Sequence, residues 1–126
     1  MDKRRIVSNP NSYSKWNSLA GVWNIQGLVH RSRDVQDAFK GKSEGTILLL
    51  KREPNNPYDI NAIAIYSALN LEDESFGSGY EWTKVGYVPR GIAENNFIGL
   101  DENTIIEATK FGSGSFRLSG KTRQYK

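Results

Sequence analysis

The sequence predicts a mostly β protein, a small barrel of about six short strands carrying one or two short helices. Apolar runs of strand length recur along the chain, each closed by a cluster of Gly, Pro, Asn or Ser. In Ala62-Ile63-Ala64-Ile65-Tyr66 large and small residues alternate, which suits a curved sheet whose inner and outer faces have different room. Only two stretches have helical spacing and both are short, and no internal repeat is present.

Residues 1–20 are polar and rich in Ser and Asn, and read as a loosely docked arm with Tyr13 and Trp16 as anchors. Val22 to Val29 alternates as a strand, ending near His30. Ser32 can cap a helix from Arg33 to Lys40, which puts Val35, Ala38 and Phe39 on one face and stops at Gly41. Thr46 to Lys51 is too apolar for a half-exposed strand and is expected at the centre of the sheet. Ser67 to Trp82 breaks the pattern with acids and with Gly77 and Gly79, as an exposed hairpin or insertion does. Lys84 to Val88 is a strand stopped by Pro89, and Ile92 to Ile98 fits about two helical turns. Thr104 to Thr109 and Phe116 to Leu118 close the barrel around Phe111-Gly112-Ser113-Gly114-Ser115, and 121–126 is a basic tail.

At 126 residues the chain is one domain with room for a hydrophobic core, and 37% hydrophobic with 25% charged residues is the balance of a soluble globular protein. The longest apolar block, Ile47 to Leu50, is far short of a membrane span, and no apolar segment follows the basic N-terminus as in a signal peptide. The absence of cysteine excludes disulfides, thiol chemistry and Cys-based zinc sites, so the expected compartment is the cytoplasm. A net charge of +3 permits anionic partners without demanding one.

The most informative segment is Lys51 to Asp59, leading into Ile60-Asn61-Ala62. Pro54 and Pro57 remove two backbone donors and fix φ, so no strand runs through. Asn56-Pro57-Tyr58-Asp59 has an Asx residue and then proline at the first two turn positions. A stiff loop therefore presents one ring and one carboxylate. The plainer alternative is a turn whose tyrosine covers a core edge. Aromatic residues also sit beside cations, in His30/Arg31, Arg52/Tyr58, Tyr87/Arg90 and Lys110/Phe111. Rings for base stacking with cations for phosphates are what a single-stranded nucleic acid requires. Enzyme readings are weaker: His30 is the lone histidine, no nucleophile elbow or phosphate loop is complete, and no cofactor is implied. Glu53, Asp59, Glu94 and Glu107 could jointly hold a hard cation, as in a metal-dependent nuclease.

The run Arg52-Glu53-Pro54-Asn55-Asn56-Pro57-Tyr58-Asp59, with Asn61-Ala62-Ile63 after it and Val85-Gly86-Tyr87-Val88-Pro89-Arg90 downstream, resembles the HIRAN domain. The resemblance spans roughly residues 22–118. It implies a modified OB-like barrel without catalysis that captures the 3′ end of single-stranded DNA. In eukaryotic relatives the domain sits on DNA-remodelling ATPases related to helicase-like transcription factor. A stand-alone module then implies a role in DNA repair or fork processing beside a helicase, nuclease or other DNA-processing protein. Carried over by position, Tyr58 stacks on the terminal base, Asp59 accepts the 3′-hydroxyl and Asn56 supports the loop. Tyr87 and Arg90 fall where the family holds phosphate with a His and a Lys, and Phe111 falls on an aromatic that packs against a base. Val29 and His30 stand where eukaryotic domains have Arg and Tyr; Arg31 is the nearest replacement for the missing cation. The rival reading is a protein-interaction module that uses the acidic 67–82 segment.

Overall fold

The computed structural model describes residues 6–7, 21–69, 82–97, 105–118 and 124–125. In chain order the elements are β1 (Ile6–Val7), β2 (Trp23–Asn24), a 3-10 turn (Leu28–His30), α1 (Arg33–Lys40), β3 (Ile47–Arg52), β4 (Ile63–Ala68), β5 (Trp82–Tyr87), α2 (Arg90–Asn96), β6 (Ile105–Phe111), β7 (Ser115–Arg117) and β8 (Gln124–Tyr125). The apolar run 48–50 makes β3 central: β4 pairs with one edge and β6 with the other, both antiparallel. Strand β5 continues the ladder beyond β4, with a register shift at Ile65/Tyr66 that leaves an extra residue on β5. Such bulges bend a strand and raise its twist, which curls the sheet.

The ring then closes. Strand β2 pairs with β7, which pairs with β6. Just past β2, Gln26 exchanges both backbone hydrogen bonds with Tyr87 of β5, at 2.9 and 2.8 Å. Successive amides on a strand point to opposite edges, and accordingly Ile25 donates to Gly114 on the β7 side while Gln26 donates to Tyr87 on the other. A side chain at Gly86 would prevent this seam, because its Cβ would lie 2.2 Å from Ile25 Cγ2 and 2.6 Å from the Gln26 carbonyl oxygen. The mostly β, OB-like small barrel with two short helices is thus the observed fold.

Ile63 and Ile65 point into a core shared with Leu48, Leu50, Val85, Ile106 and Phe116, and each such side chain contributes about 1.5–3 kcal/mol through burial. Helix α1 adds Val35 and Phe39; Ser32 Oγ accepts from the Val35 amide at 3.3 Å, so the cap and the apolar face are both as the sequence predicts. Helix α2 begins earlier than its apolar pattern indicates, because the Pro89 carbonyl accepts from Ala93 and makes Arg90 the first helical residue.

The predicted strand from Val22 to Val29 is shorter than its alternation suggests. Gly27, at φ 82°, turns the chain into the 3-10 turn, burying Leu28 and exposing Val29 and His30. Of the predicted insertion, Ser67 and Ala68 belong to β4 and Trp82 to β5, while 70–81 lie outside the described residues. The predicted arm and tail are described only where β1 pairs with β8, which itself pairs with β6. Among the described residues no helix is long and apolar enough to cross a membrane.

Candidate nucleic-acid interface

The loop joining β3 to β4 is organised by the side chain of Asn56. Its Oδ1 accepts from the amides of Tyr58 (2.9 Å) and Asp59 (3.1 Å), the Asx turn expected of an Asn-Pro start. Its Nδ2 donates to Glu53 Oε1 at 3.0 Å. Asp59 Oδ1 accepts from the Asn61 amide at 2.9 Å, and Arg52 donates to Asn61 Oδ1 at 3.3 Å. Backbone bonds from Glu53 to the Ala62 carbonyl and from Ala62 to the Asp59 carbonyl close the base. The loop is consequently rigid, with Tyr58 standing 90% exposed at its tip. A tyrosine covering the core edge would be buried; this one is not.

Glu53 fastens the loop to β5. Beyond Asn56, it accepts the Tyr87 hydroxyl at 2.9 Å and forms an ion pair with Lys84. Lys84 also donates to the Tyr87 oxygen at 3.2 Å and lies 5.3 Å from the centre of its ring. Burial works to raise the Glu53 pKa, but hydrogen bonds from Lys84, Asn56 and Tyr87 outweigh it and hold the carboxyl below its ordinary value. Burial works to lower Lys84, and its bonds to Glu53 and Tyr87 leave it raised instead. No local sequence signal links these residues: Glu53 follows β3, whereas Lys84 and Tyr87 lie on β5, with β4 between the two strands.

Beside the loop lies a cavity of about 480 Å³, within the range of small-ligand sites. Asn56, Tyr58, Asp59, Tyr87 and Arg90 all line it, joined by Gln26 and Val88. Gln26 could not be found by motif, since only the closing of the barrel places it there. Arg90 Nε donates to Glu94 at 2.9 Å and lies 3.8 Å from Asp59 Oδ2, with its side chain 70% exposed. Asp59 Oδ2 pairs with Arg90 at a distance longer than a hydrogen bond, so it keeps acceptor capacity on a residue that lines the cavity together with an exposed guanidinium and an exposed ring.

His30 and Arg31 do not line this cavity; both are exposed, at the end of the 3-10 turn and just beyond it. Phe111 is also elsewhere, at the end of β6, with the Arg117 guanidinium 5.4 Å from its ring centre. Its predicted partner Lys110 is not on the surface at all. Lys110 follows Ile106 and Ala108 on the inward side of β6, is 3% exposed, and donates to the carbonyls of Lys42 and Gly112. Tyr87 differs too, since its hydroxyl donates to Glu53. As for joint cation binding, Glu53, Asp59 and Glu94 each face Lys84 or Arg90, and the described residues contain no cluster of three or more ligands able to hold a metal.

Comparison with curated proteins gives no match, and comparison with solved structures gives none either. The family model described as HIRAN domain matches residues 23–109, and a match to it points to DNA binding. That span runs from β2 through most of β6 and includes the 53–62 loop, the β5 partners of Glu53 and Arg90, so the chain belongs to the HIRAN domain family.

Proposed function

We propose that the protein captures the 3′-hydroxyl end of single-stranded DNA without altering it chemically. The observation that carries this reading is the meeting, at one cavity, of an exposed stacking ring (Tyr58), a carboxylate whose Oδ2 pairs with Arg90 at 3.8 Å, longer than a hydrogen bond (Asp59), and an exposed guanidinium (Arg90). Tyr58 stacks on the terminal base, a contact worth about 1–3 kcal/mol that tolerates any base. Asp59 accepts the terminal hydroxyl in a charge-assisted hydrogen bond. Arg90 offers donors to the adjoining phosphate. A 3′-phosphate would set like charge against Asp59, so the same geometry prefers a hydroxyl end.

The site is held in the free protein, because the Asx turn and the Glu53 bonds fix the loop before any ligand arrives. Capture then needs no ordering step, which limits the entropy lost on binding. The family membership supports DNA as the ligand. The test is fluorescence anisotropy of a short 5′-labelled single strand ending in hydroxyl, against the same strand ending in 3′-phosphate. Tighter binding of the hydroxyl end is expected; equal binding would refute end capture, and absence of binding at low salt would refute DNA as the ligand.

A further inference from the structure

The outer face of the β6–β3–β4–β5 sheet carries a separate recess, of about 260 Å³, that end capture does not use. Successive side chains of a strand point to opposite faces. Leu48, Leu50, Ile63 and Ile65 point into the core, so Leu49, Lys51, Ala64 and Tyr66 point outward. Register then sets their neighbours. Lys51 lies between Ile105 and Ala64, and Tyr66 lies between Leu49 and Lys84. Leu49 and Ile105 give the recess an apolar floor, at 6% and 2% exposure, while half-buried Tyr66 and Trp82 and exposed Lys51 line the rest.

This recess adjoins the candidate interface. Ala64, the cross-strand neighbour of Lys51, pairs on its other side with Tyr87, which lines the end cavity. Two strand spacings, about 10 Å, therefore separate the backbones of Tyr87 and Lys51. Tyr66 in turn lies across from Lys84, whose ammonium donates to the Tyr87 oxygen. Lys84 is neutralised by Glu53, whereas Lys51 has no ion-pair partner among the described residues. Glu107, the acid of this face on β6, pairs with Leu49 and does not line the recess.

We infer that this outer face is a track for the nucleotides preceding the captured end, with a base seated against Tyr66 and Trp82 and a phosphate held by Lys51. The inference rests on the end-capture reading above and extends it to a surface that reading leaves unused. A strand held by its last nucleotide must leave the cavity across a neighbouring surface. The one described here offers two rings over an apolar floor and an unpaired cation, the combination that grips a single strand whatever its sequence.

Anisotropy over a length series tests the track. The intact protein is titrated with 5′-labelled single strands from about two to about ten nucleotides long, each ending in 3′-hydroxyl or in 3′-phosphate. Affinity for hydroxyl ends is expected to rise about 5- to 150-fold from the shortest strand to the longest, as one further stacked base would give. In Lys51→Ala the slope of log affinity against log salt should shrink by about 0.7 for the long strands and not for the shortest. Affinity that stops rising at the shortest length, with hydroxyl preference intact, overturns the track and leaves end capture standing. A length gain whose size and salt slope survive Lys51→Ala overturns it as well. A gain that depends on Lys51 while both ends bind equally supports the track and overturns end capture.

Discussion

Replacing Asp59 by Asn changes one atom of the site while leaving its scaffold in place. The Asn61 amide donates to Asp59 Oδ1 at 2.9 Å, and an Asn side chain can keep that bond through its own carbonyl oxygen. The atom that changes is Oδ2, which becomes an NH₂ donor. Its ion pair with Arg90 spans 3.8 Å, and Arg90 is exposed and already bound to Glu94, so losing the pair costs about 0–1 kcal/mol of stability. The melting temperature should accordingly fall by about 4 °C or less. Binding is another matter. A hydrogen bond from the 3′-hydroxyl to a carboxylate is worth about 1.5–3 kcal/mol, and the variant also removes repulsion of a 3′-phosphate. The ratio of affinities for hydroxyl and phosphate ends should therefore shrink by about 10- to 150-fold. Anisotropy titrations of wild type and Asp59→Asn with both strands form a thermodynamic cycle that isolates this coupling. A variant that retains the wild-type ratio would refute the assignment of Asp59, even if its overall affinity fell.

Tyr58→Ala should weaken binding of any sequence by about 1–3 kcal/mol, while thermal stability moves within about ±0.5 kcal/mol, because the side chain is 90% exposed; titration and melting curves on one preparation check both. Arg90→Ala should weaken all strands alike and reduce the slope of log affinity against log salt by about 0.7, which a salt titration reads directly. Glu53 is held below its ordinary pKa, so the stability it contributes is complete above the unfolded value and disappears as pH falls through the folded one. Melting curves should show an acid-side loss below about pH 4 that is smaller in Glu53→Gln, and identical acid profiles would argue against the network.

Where structure is dictated by neighbours in sequence, the chain was legible. The leucines of β3, the cap and apolar face of α1, and the Asn56-Pro57 turn all follow from local pattern, and each is found where expected. What failed depended on distance. The alternation from Val22 to Val29 continues through Gly27, yet the chain turns there because Leu28 is needed in the core. Lys110 looked like a surface cation beside Phe111, although its two-residue spacing from Ile106 and Ala108 was a readable sign that it points inward. The Tyr87 hydroxyl and the Glu53 carboxylate are 34 residues apart in sequence. Motif reading found both residues but had no means of seeing that one occupies the other.

The loop that carries Tyr58 and Asp59 joins β3 to β4, the two inner strands of the β6–β3–β4–β5 ladder. Tension on a captured strand would therefore enter the barrel along the lengths of β3 and β4. Antiparallel ladder hydrogen bonds lie perpendicular to the strands, so such a load shears many of them together and does not peel them singly. A grip placed at an edge hairpin would open like a zipper. Placed here, it makes the whole sheet the anchor, and a DNA end should slip from the site before the barrel yields.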